Sequence, residues 1–234
     1  GVEFAFVYLS VVVHVESERY NVADSEFCFR VKVLADMNKY GTGGFFGVGV
    51  DADLMDSDSQ VLYMGQGGLG MGDRDYYVAK ENAELHEKYQ QMIEKFFSLC
   101  GLDEPARRAA RALKTEDALA EFSWTSIQNR DYTKLYNPMS TSQIAATFKG
   151  FDFALFFKSL GLPEQEKVIV QQPSFFNGFA KLYADTDLET LKDYLAAHLI
   201  MDASSSLSDD FYAANFDFFS TAMSGITEQK PRWK

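Results

Sequence analysis

Three stretches of this sequence carry residue types that could do chemistry, and each points to a different reaction. Gly65-Gln-Gly-Gly-Leu-Gly70 fits the spacing GxGxxG, in which backbone amides at the start of a helix cradle a pyrophosphate. A dinucleotide site needs that helix to begin inside the glycines, but Gly72 and Asp73 postpone it. The acidic residue that should follow at the end of a second strand, about twenty positions on, would fall in a helical stretch around Met92. A glycine-rich turn is the simpler reading. Asp51, Asp53, Asp56 and Asp58 suggest calcium, yet an EF-hand loop begun at Asp51 has Asp56 where Gly is needed and Leu62 where Glu is needed. Begun at Asp56, the same places hold Val61 and Gly67. A solvated hairpin tip is expected, with a weak cation site as the lesser alternative. His86-Glu87-Lys88-Tyr89-Gln90 stops one residue short of HExxH. That motif works because histidines four apart on a helix face one metal while the Glu activates its water. Gln90 replaces the second His, and His14 and His198 are remote in sequence, so a surface His and Glu on an amphipathic helix are expected.

Glu116 is more informative. It falls three residues after Leu113 and four before Ala120, which places a carboxylate on the apolar stripe of a helix. A buried carboxylate needs a cation or hydrogen-bond donors. Arg130, just past the helix, is the candidate partner, and a structural ion pair is expected ahead of a catalytic role. His198, beside Leu195 and Leu199, is expected to be hydrogen-bonded at the edge of the core.

The elements that must position these residues follow from periodicity. Phe27, Phe29, Val31 and Val33 alternate with Cys28, Arg30 and Lys32, the period of a half-buried strand. Residues 45–50 and 61–64 read as two strands joined by an acidic turn over 51–59, a hairpin. From Lys80 the period becomes helical. Leu85, Tyr89, Met92, Ile93, Phe96 and Cys100 share a face, Gly101 suits a helix C-terminus, and Pro105 opens a second helix to about Phe122. Further helices are expected near 140–148, 152–160 and 173–184. Another is expected after a Thr186/Glu189 capping box, and a last one, capped by Ser208, ends near Gly225. The expected fold class is mainly α: a multi-helix domain with a small β-hairpin near the N-terminus.

Lys and Arg number 22 against 34 Asp and Glu, a net charge of −12 that disfavours nucleic acid and anionic lipid as partners. The apolar run 4–13 is about half of the ~20 residues a membrane helix needs, and Glu3 before it does not suit a secretory signal. Cys28 and Cys100 allow at most one bridge, and Gly1 in place of Met suggests a missing N-terminus.

Four strings in fixed order carry a family resemblance: Gly67-Gly-Leu-Gly-Met-Gly-Asp-Arg74-Asp75-Tyr76-Tyr77; Glu116 with Leu119-Ala120; Arg130-Asp131 followed by Tyr136-Asn137-Pro-Met139; and Pro231-Arg232-Trp233-Lys234. The stretch Val168 to Phe176 and the runs Leu199 to Asp202 and Ser205 to Ser208 agree with them. Together they resemble the neprilysin and endothelin-converting-enzyme family of zinc metallopeptidases, in its bacterial form, over about residues 40–234. Residues 1–39 match nothing recognisable in that family and are left unassigned. Ala197 stands where relatives often have Trp, and Asn129 where many have a second Arg.

The resemblance implies that 40–234 is an incomplete, non-catalytic N-terminal domain. It would form a lid-like helical wall that restricts access to a chamber in which the full-length enzyme hydrolyses oligopeptides. In the family the HExxH helix and the remaining catalytic groups follow the Pro-Arg-Trp-Lys string. No catalytic or metal-binding residue is therefore expected here, and the zinc is expected in the full-length protein. The implied partners are the C-terminal catalytic domain of the same polypeptide and its peptide substrates; the implied location is extracytoplasmic, in a bacterial periplasm or at the cell surface. A self-standing helical binding module is the alternative. Loss of the catalytic half also predicts an exposed apolar face, with residues 151–157 and 216–219 as candidates.

Overall fold

A computed structural model describes residues 26–228 of the chain, apart from 43 and 163. Arg232 and Trp233, the apolar run 4–13 and His14 lie outside the described residues. In chain order the elements are α1 Glu26–Lys39, β1 Phe46–Asp53, β2 Asp56–Gln66, α2 Asp75–Val78, α3 Ala83–Leu99, α4 Pro105–Phe122, α5 Tyr132–Leu135, β3 Pro138–Met139, α6 Thr141–Thr147, α7 Phe153–Ser159, β4 Val168–Val170, α8 Pro173–Asp185, α9 Leu188–Ala203 and α10 Asp209–Asn215. The chain then continues from α10 as a π-helical turn over Phe216–Ala222.

The fold is mainly α with a small sheet, as the periodicity predicts, but the first element is a correction. Residues expected as a strand form α1. Val31, Leu34 and Ala35 are fully buried at spacings of three and four, so the alternation over 27–33 is the start of a helical stripe rather than a pleat. The hairpin is present, with Phe46 opposite Gln66 and Asp53 opposite Asp56. Its strands run through most of the segment expected as a turn, which shrinks to Leu54-Met55. Asp51, Asp56 and Asp58 are exposed on this ribbon, where both faces meet water, and wet faces leave no apolar alternation to read. Two short strands complete a sheet of order β1-β2-β4-β3. β4 runs parallel to β2, with Val168 beside Leu62, and β3 pairs antiparallel with β4.

The helices match their expected extents closely, because Gly, Pro and polar caps fix them. Gly101 takes φ 70 after α3, and Pro105 sits in the first turn of α4. Ser140 and Gln143 form a reciprocal capping box on α6. Two caps differ from expectation. Asp187, not Thr186, caps α9 by accepting the amide of Thr190, while the Thr186 hydroxyl donates back to the Leu182 carbonyl. Ser208 occupies the N-cap of α10, but its side chain makes no capping bond.

Two apolar clusters fill the interior. One is built from phenylalanines of the hairpin base, α7 and α8, such as Phe46, Phe156 and Phe179, with rings 5.1 Å from Phe46 to each of the other two. The other gathers Tyr89, Met92, Phe96, Leu113, Ile200 and Phe211. Phe151, Phe153, Phe156 and Phe157 are all buried in the first cluster, so that segment is not an exposed face. Phe218 is buried in the second, with Phe219 packed beside it. Both α4 and α9 serve both clusters: Leu119 and Leu195 in one, Leu113 and Ile200 in the other. Glu116 and His198 sit on these shared helices, at the seam.

Candidate functional site

The seam holds the most concentrated buried chemistry among the described residues. Glu116 is fully buried, and its carboxylate accepts hydrogen bonds from three groups brought by three different segments. The Tyr77 hydroxyl, at the end of α2, donates to Oε2. The Gly70 amide donates to the same oxygen at 2.9 Å, and the Tyr89 hydroxyl on α3 donates to Oε1 at 2.9 Å. His198 Nε2 lies 3.0 Å from Oε1, within ion-pair range but not aligned as a hydrogen bond. Tyr77 in turn accepts the Met71 amide at 2.9 Å. Burial first, and the adjacent Glu116 charge second, push the Tyr77 and Tyr89 phenols far above their ordinary range, so both remain protonated donors.

Two glycines of the Gly65–Gly70 string, Gly68 and Gly70, pack closely at this centre. A Cβ on Gly70 would lie 1.8 Å from the Tyr89 hydroxyl, and Gly68 takes φ 80 where a Cβ would lie 2.8 Å from the Gly44 carbonyl oxygen. The string therefore lets the backbone press against α3 and α9 and aim an amide at Glu116. The Tyr194 hydroxyl donates to the Gly68 carbonyl at 2.9 Å and fastens the same loop.

The expected Glu116–Arg130 ion pair is not formed. Arg130 is exposed in a one-turn 3-10 helix, Gln128–Arg130, and the carboxylate's partners all come from other segments. Nearness in sequence misleads here, because the hydrogen-bonding need of Glu116 is already met inside the chain. The carboxylate is instead met by Tyr77, Tyr89 and the Gly70 amide.

Of the other described residues of the family strings, Arg74, Asp75 and Asn137 bond to or through backbone, while Tyr76, Asp131 and Tyr136 make side-chain contacts. Arg74 Nε donates to the Ala120 carbonyl at 3.1 Å, tying the start of α2 to α4. Asp75 accepts Asn82 Nδ2 on its main-chain oxygen at 3.0 Å, and Tyr76 packs on the second apolar cluster. The Asp131 side chain accepts the Thr133 hydroxyl at 2.6 Å. That bond, and Lys134 beside it, hold the Asp131 carboxyl below its ordinary value. Asn137 Nδ2 donates to the carbonyls of Lys134 and Val170, at 2.7 and 3.0 Å, and the Val170 amide returns a bond to the Asn137 carbonyl. The Tyr136 hydroxyl donates to Asp53 Oδ1 at 2.9 Å. Asp53 is also paired with Lys167, which is the main cause of its lowered pKa.

His86 does not join a ligand set. Its Nε2 lies 2.6 Å from Asp117 Oδ1, and no group of His, Cys, Asp and Glu able to hold a metal occurs among the described residues. Cys100 is a free thiol that burial pushes up to about 11.

Sequence reasoning missed Tyr77, Tyr89 and Gly70 as partners of Glu116. It also missed Asp193, 1% exposed on α9, which meets Arg108 at 2.6 Å and Arg111 at 2.5 Å. One signal was available: Tyr89 lies on an apolar stripe, and a buried phenol usually has a hydrogen-bond partner.

A small four-stranded sheet laid against a helical body, its glycine loop held on a buried carboxylate, is the architecture these residues build. The N-terminal sequence profile of Peptidase family M13 matches residues 23–234, and the chain belongs to that family. The match takes in α1 as well as the segment carrying the family strings. The chain is 30% identical over 182 residues to the neutral endopeptidase of Lactobacillus helveticus, covering 76% of this chain and 28% of that protein. It is 29% identical over 203 residues to human endothelin-converting enzyme 1, covering 83% of this chain and 26% of the relative. The solved structure of Mycobacterium tuberculosis zinc metalloprotease Zmp1 with an inhibitor superposes over 100% of this chain and 35% of its own, with a TM-score of 0.88 and 26% identity. The chain thus spans about a quarter to a third of the length of these proteins.

Proposed function

We propose that the chain is the N-terminal, non-catalytic part of a zinc metalloendopeptidase acting on oligopeptides. On this reading it forms a helical wall restricting access to the catalytic chamber. The observation that carries the reading is the family match across nearly the whole chain, set against the chain's small share of each relative's length. What supports placing the zinc elsewhere is that, among the described residues, His86 is engaged by Asp117, and Glu116 and His198 are enclosed by phenols and backbone. The metal and the residues that activate its water are assigned to the remainder of the longer polypeptide, and no catalytic step is derived from this chain. The role of the chain's own residues is to hold the wall in shape, through the Glu116 seam and the backbone ties of Arg74 and Asn137. No described helix is long and apolar enough to cross a membrane, and an extracytoplasmic location is proposed by likeness to the family.

Metal analysis of the dialysed chain, with a quenched hydrophobic peptide as substrate, tests the reading. The expected result is neither stoichiometric zinc nor turnover; chelator-sensitive cleavage by this chain would overturn it. The reading frame beyond Lys234 is an independent check, with HExxH expected within the next few hundred codons if the longer enzyme exists.

A further inference from the structure

The glycines around the hairpin divide into two kinds. Gly44, Gly65, Gly68 and Gly70 each have a neighbour that a Cβ would strike; at Gly65 it is the Gln171 side chain, 2.4 Å away. Gly47 and Gly49 have nothing within 4 Å, and neither takes a positive φ. Glycine inside a strand weakens it, and its usual reasons are a bulge or the close approach of another backbone or ligand. The one irregularity in the β1–β2 register lies at Ala52/Asp53, away from both. Gly47 and Gly49 lie on the same face of β1, two residues apart, opposite Gly65 and Tyr63. Tyr63 does not cover them: its hydroxyl donates to the Ala52 carbonyl at 2.9 Å and accepts the Leu54 amide at 3.2 Å, which turns it toward the hairpin tip.

β1 also ends the sheet, so its outer edge carries no partner among the described residues. It is an eight-residue edge with neither Lys nor Pro to blunt it, and Phe46 on its other face anchors it in the core. No Lys or Arg occurs between Lys39 and Arg74, while Asp51, Asp56 and Asp58 stand exposed on the ribbon. Val50, Leu54 and Met55 add exposed apolar surface beside them.

We infer that the outer edge of β1, with the bare face at Gly47 and Gly49, binds an extended peptide of alternating basic and apolar residues as an added strand. Backbone pairing supplies the register, side chains of the peptide lie over the glycines, and its cations meet the exposed aspartates. Self-pairing of two copies is disfavoured because it would bring the same acidic ribbons together. The inference goes beyond the proposed peptidase role and does not depend on it, since it is read on this chain without metal or turnover.

The test titrates the whole chain with a fluorescein-labelled octapeptide alternating lysine and valine, alongside a glutamate–valine counterpart and a lysine–valine peptide N-methylated at alternate amides. The lysine peptide is expected to bind with salt-sensitive affinity and to slow hydrogen exchange over 46–53. The other two peptides should bind at least tenfold more weakly. The double variant Gly47→Val/Gly49→Val should also lose at least tenfold in affinity with no drop in Tm, because both positions have room. Unslowed exchange in β1, or equal affinity for the N-methylated peptide, would overturn strand addition and leave only charge attraction. Equal binding of the glutamate peptide would overturn the basic specificity, and a dimer with protected β1 would make a second copy the occupant. If the double variant is unstable, the N-methylated peptide on the unaltered chain decides the question alone.

Discussion

Glu116 and Asp193 are both carboxylates removed almost wholly from water, at 0% and 1% exposure, and they face each other's helix across the α4–α9 contact. They are satisfied in opposite ways. Asp193 points from α9 to Arg108 and Arg111 on α4, whose side chains stay about a quarter exposed. Glu116 points from α4 into the seam between the two apolar clusters, and its partners are two phenols, a glycine amide and a histidine. A guanidinium at the rim keeps part of its hydration and can turn to solvent when its partner is lost. A phenol or amide at the seam has no such exit. Burial of the acid alone therefore does not set its importance; what matters is whether its partners have another place to go.

The largest expected effect follows from that difference. Glu116→Ala leaves Tyr77, Tyr89 and the Gly70 amide without their shared acceptor and His198 without its neighbouring charge, and should destabilise the chain by about 3–5 kcal/mol in urea unfolding. Asp193→Ala should destabilise by only about 1–2 kcal/mol, because Arg108 and Arg111 can rehydrate. Equal losses would break the comparison. Raising the salt sharpens it: screening should shrink the Asp193 contribution and leave that of Glu116 nearly unchanged.

Tyr77→Phe, which removes one donor to the carboxylate and one acceptor for the Met71 amide, should destabilise by about 1.5–3 kcal/mol. The same phenols give a dependence on base. Tyr77, Tyr89 and Tyr194 have folded-state pKa values raised above the unfolded ~10, so their contribution is whole below pH ~10 and is lost as pH climbs toward the folded values. Each tyrosine should contribute up to ~1.4 kcal/mol of lost stability per pH unit in that window, and Tyr77→Phe should make the slope shallower by about that amount. A pH-independent stability between 10 and 12 would contradict the enclosed phenols.

How much of this was legible in the sequence varies with the kind of signal. Helix ends were readable because Gly101 and Pro105 act within a few residues of themselves. That Glu116 is buried was readable from the stripe it shares with Leu113 and Ala120. Its partners were not, because Gly70, Tyr77, Tyr89 and His198 arrive from segments that only the tertiary fold brings together. α1 was misread because Phe27, Phe29, Val31 and Val33 satisfy a period of two, while the helical spacing becomes visible only when Leu34, Ala35 and Met37 join the window. The outer hairpin was misread as a turn because a strand wet on both faces has no apolar rhythm. GxGxxG was legible as a tight turn, and its closeness to Tyr89 was not.

The smallest expected effect is that of Arg130, and it tests the same comparison from outside. If Glu116 is satisfied wholly within the seam, an exposed arginine on the one-turn 3-10 helix Gln128–Arg130 has no energetic claim on it. Arg130→Ala should then change stability by no more than ~0.5 kcal/mol, as for an ordinary surface substitution. The double variant with Glu116→Ala should show the sum of the single losses within ~0.3–0.5 kcal/mol, the additivity of sites that share no partner. The cycle should also be closed on Glu116→Gln, a milder change that keeps the side chain's shape and one carbonyl acceptor for the phenols. A coupling above about 1 kcal/mol in that milder cycle would mean that Arg130 does reach the carboxylate. Glu116 would then be held partly from the rim, as Asp193 is, and the distinction between the two acids would collapse.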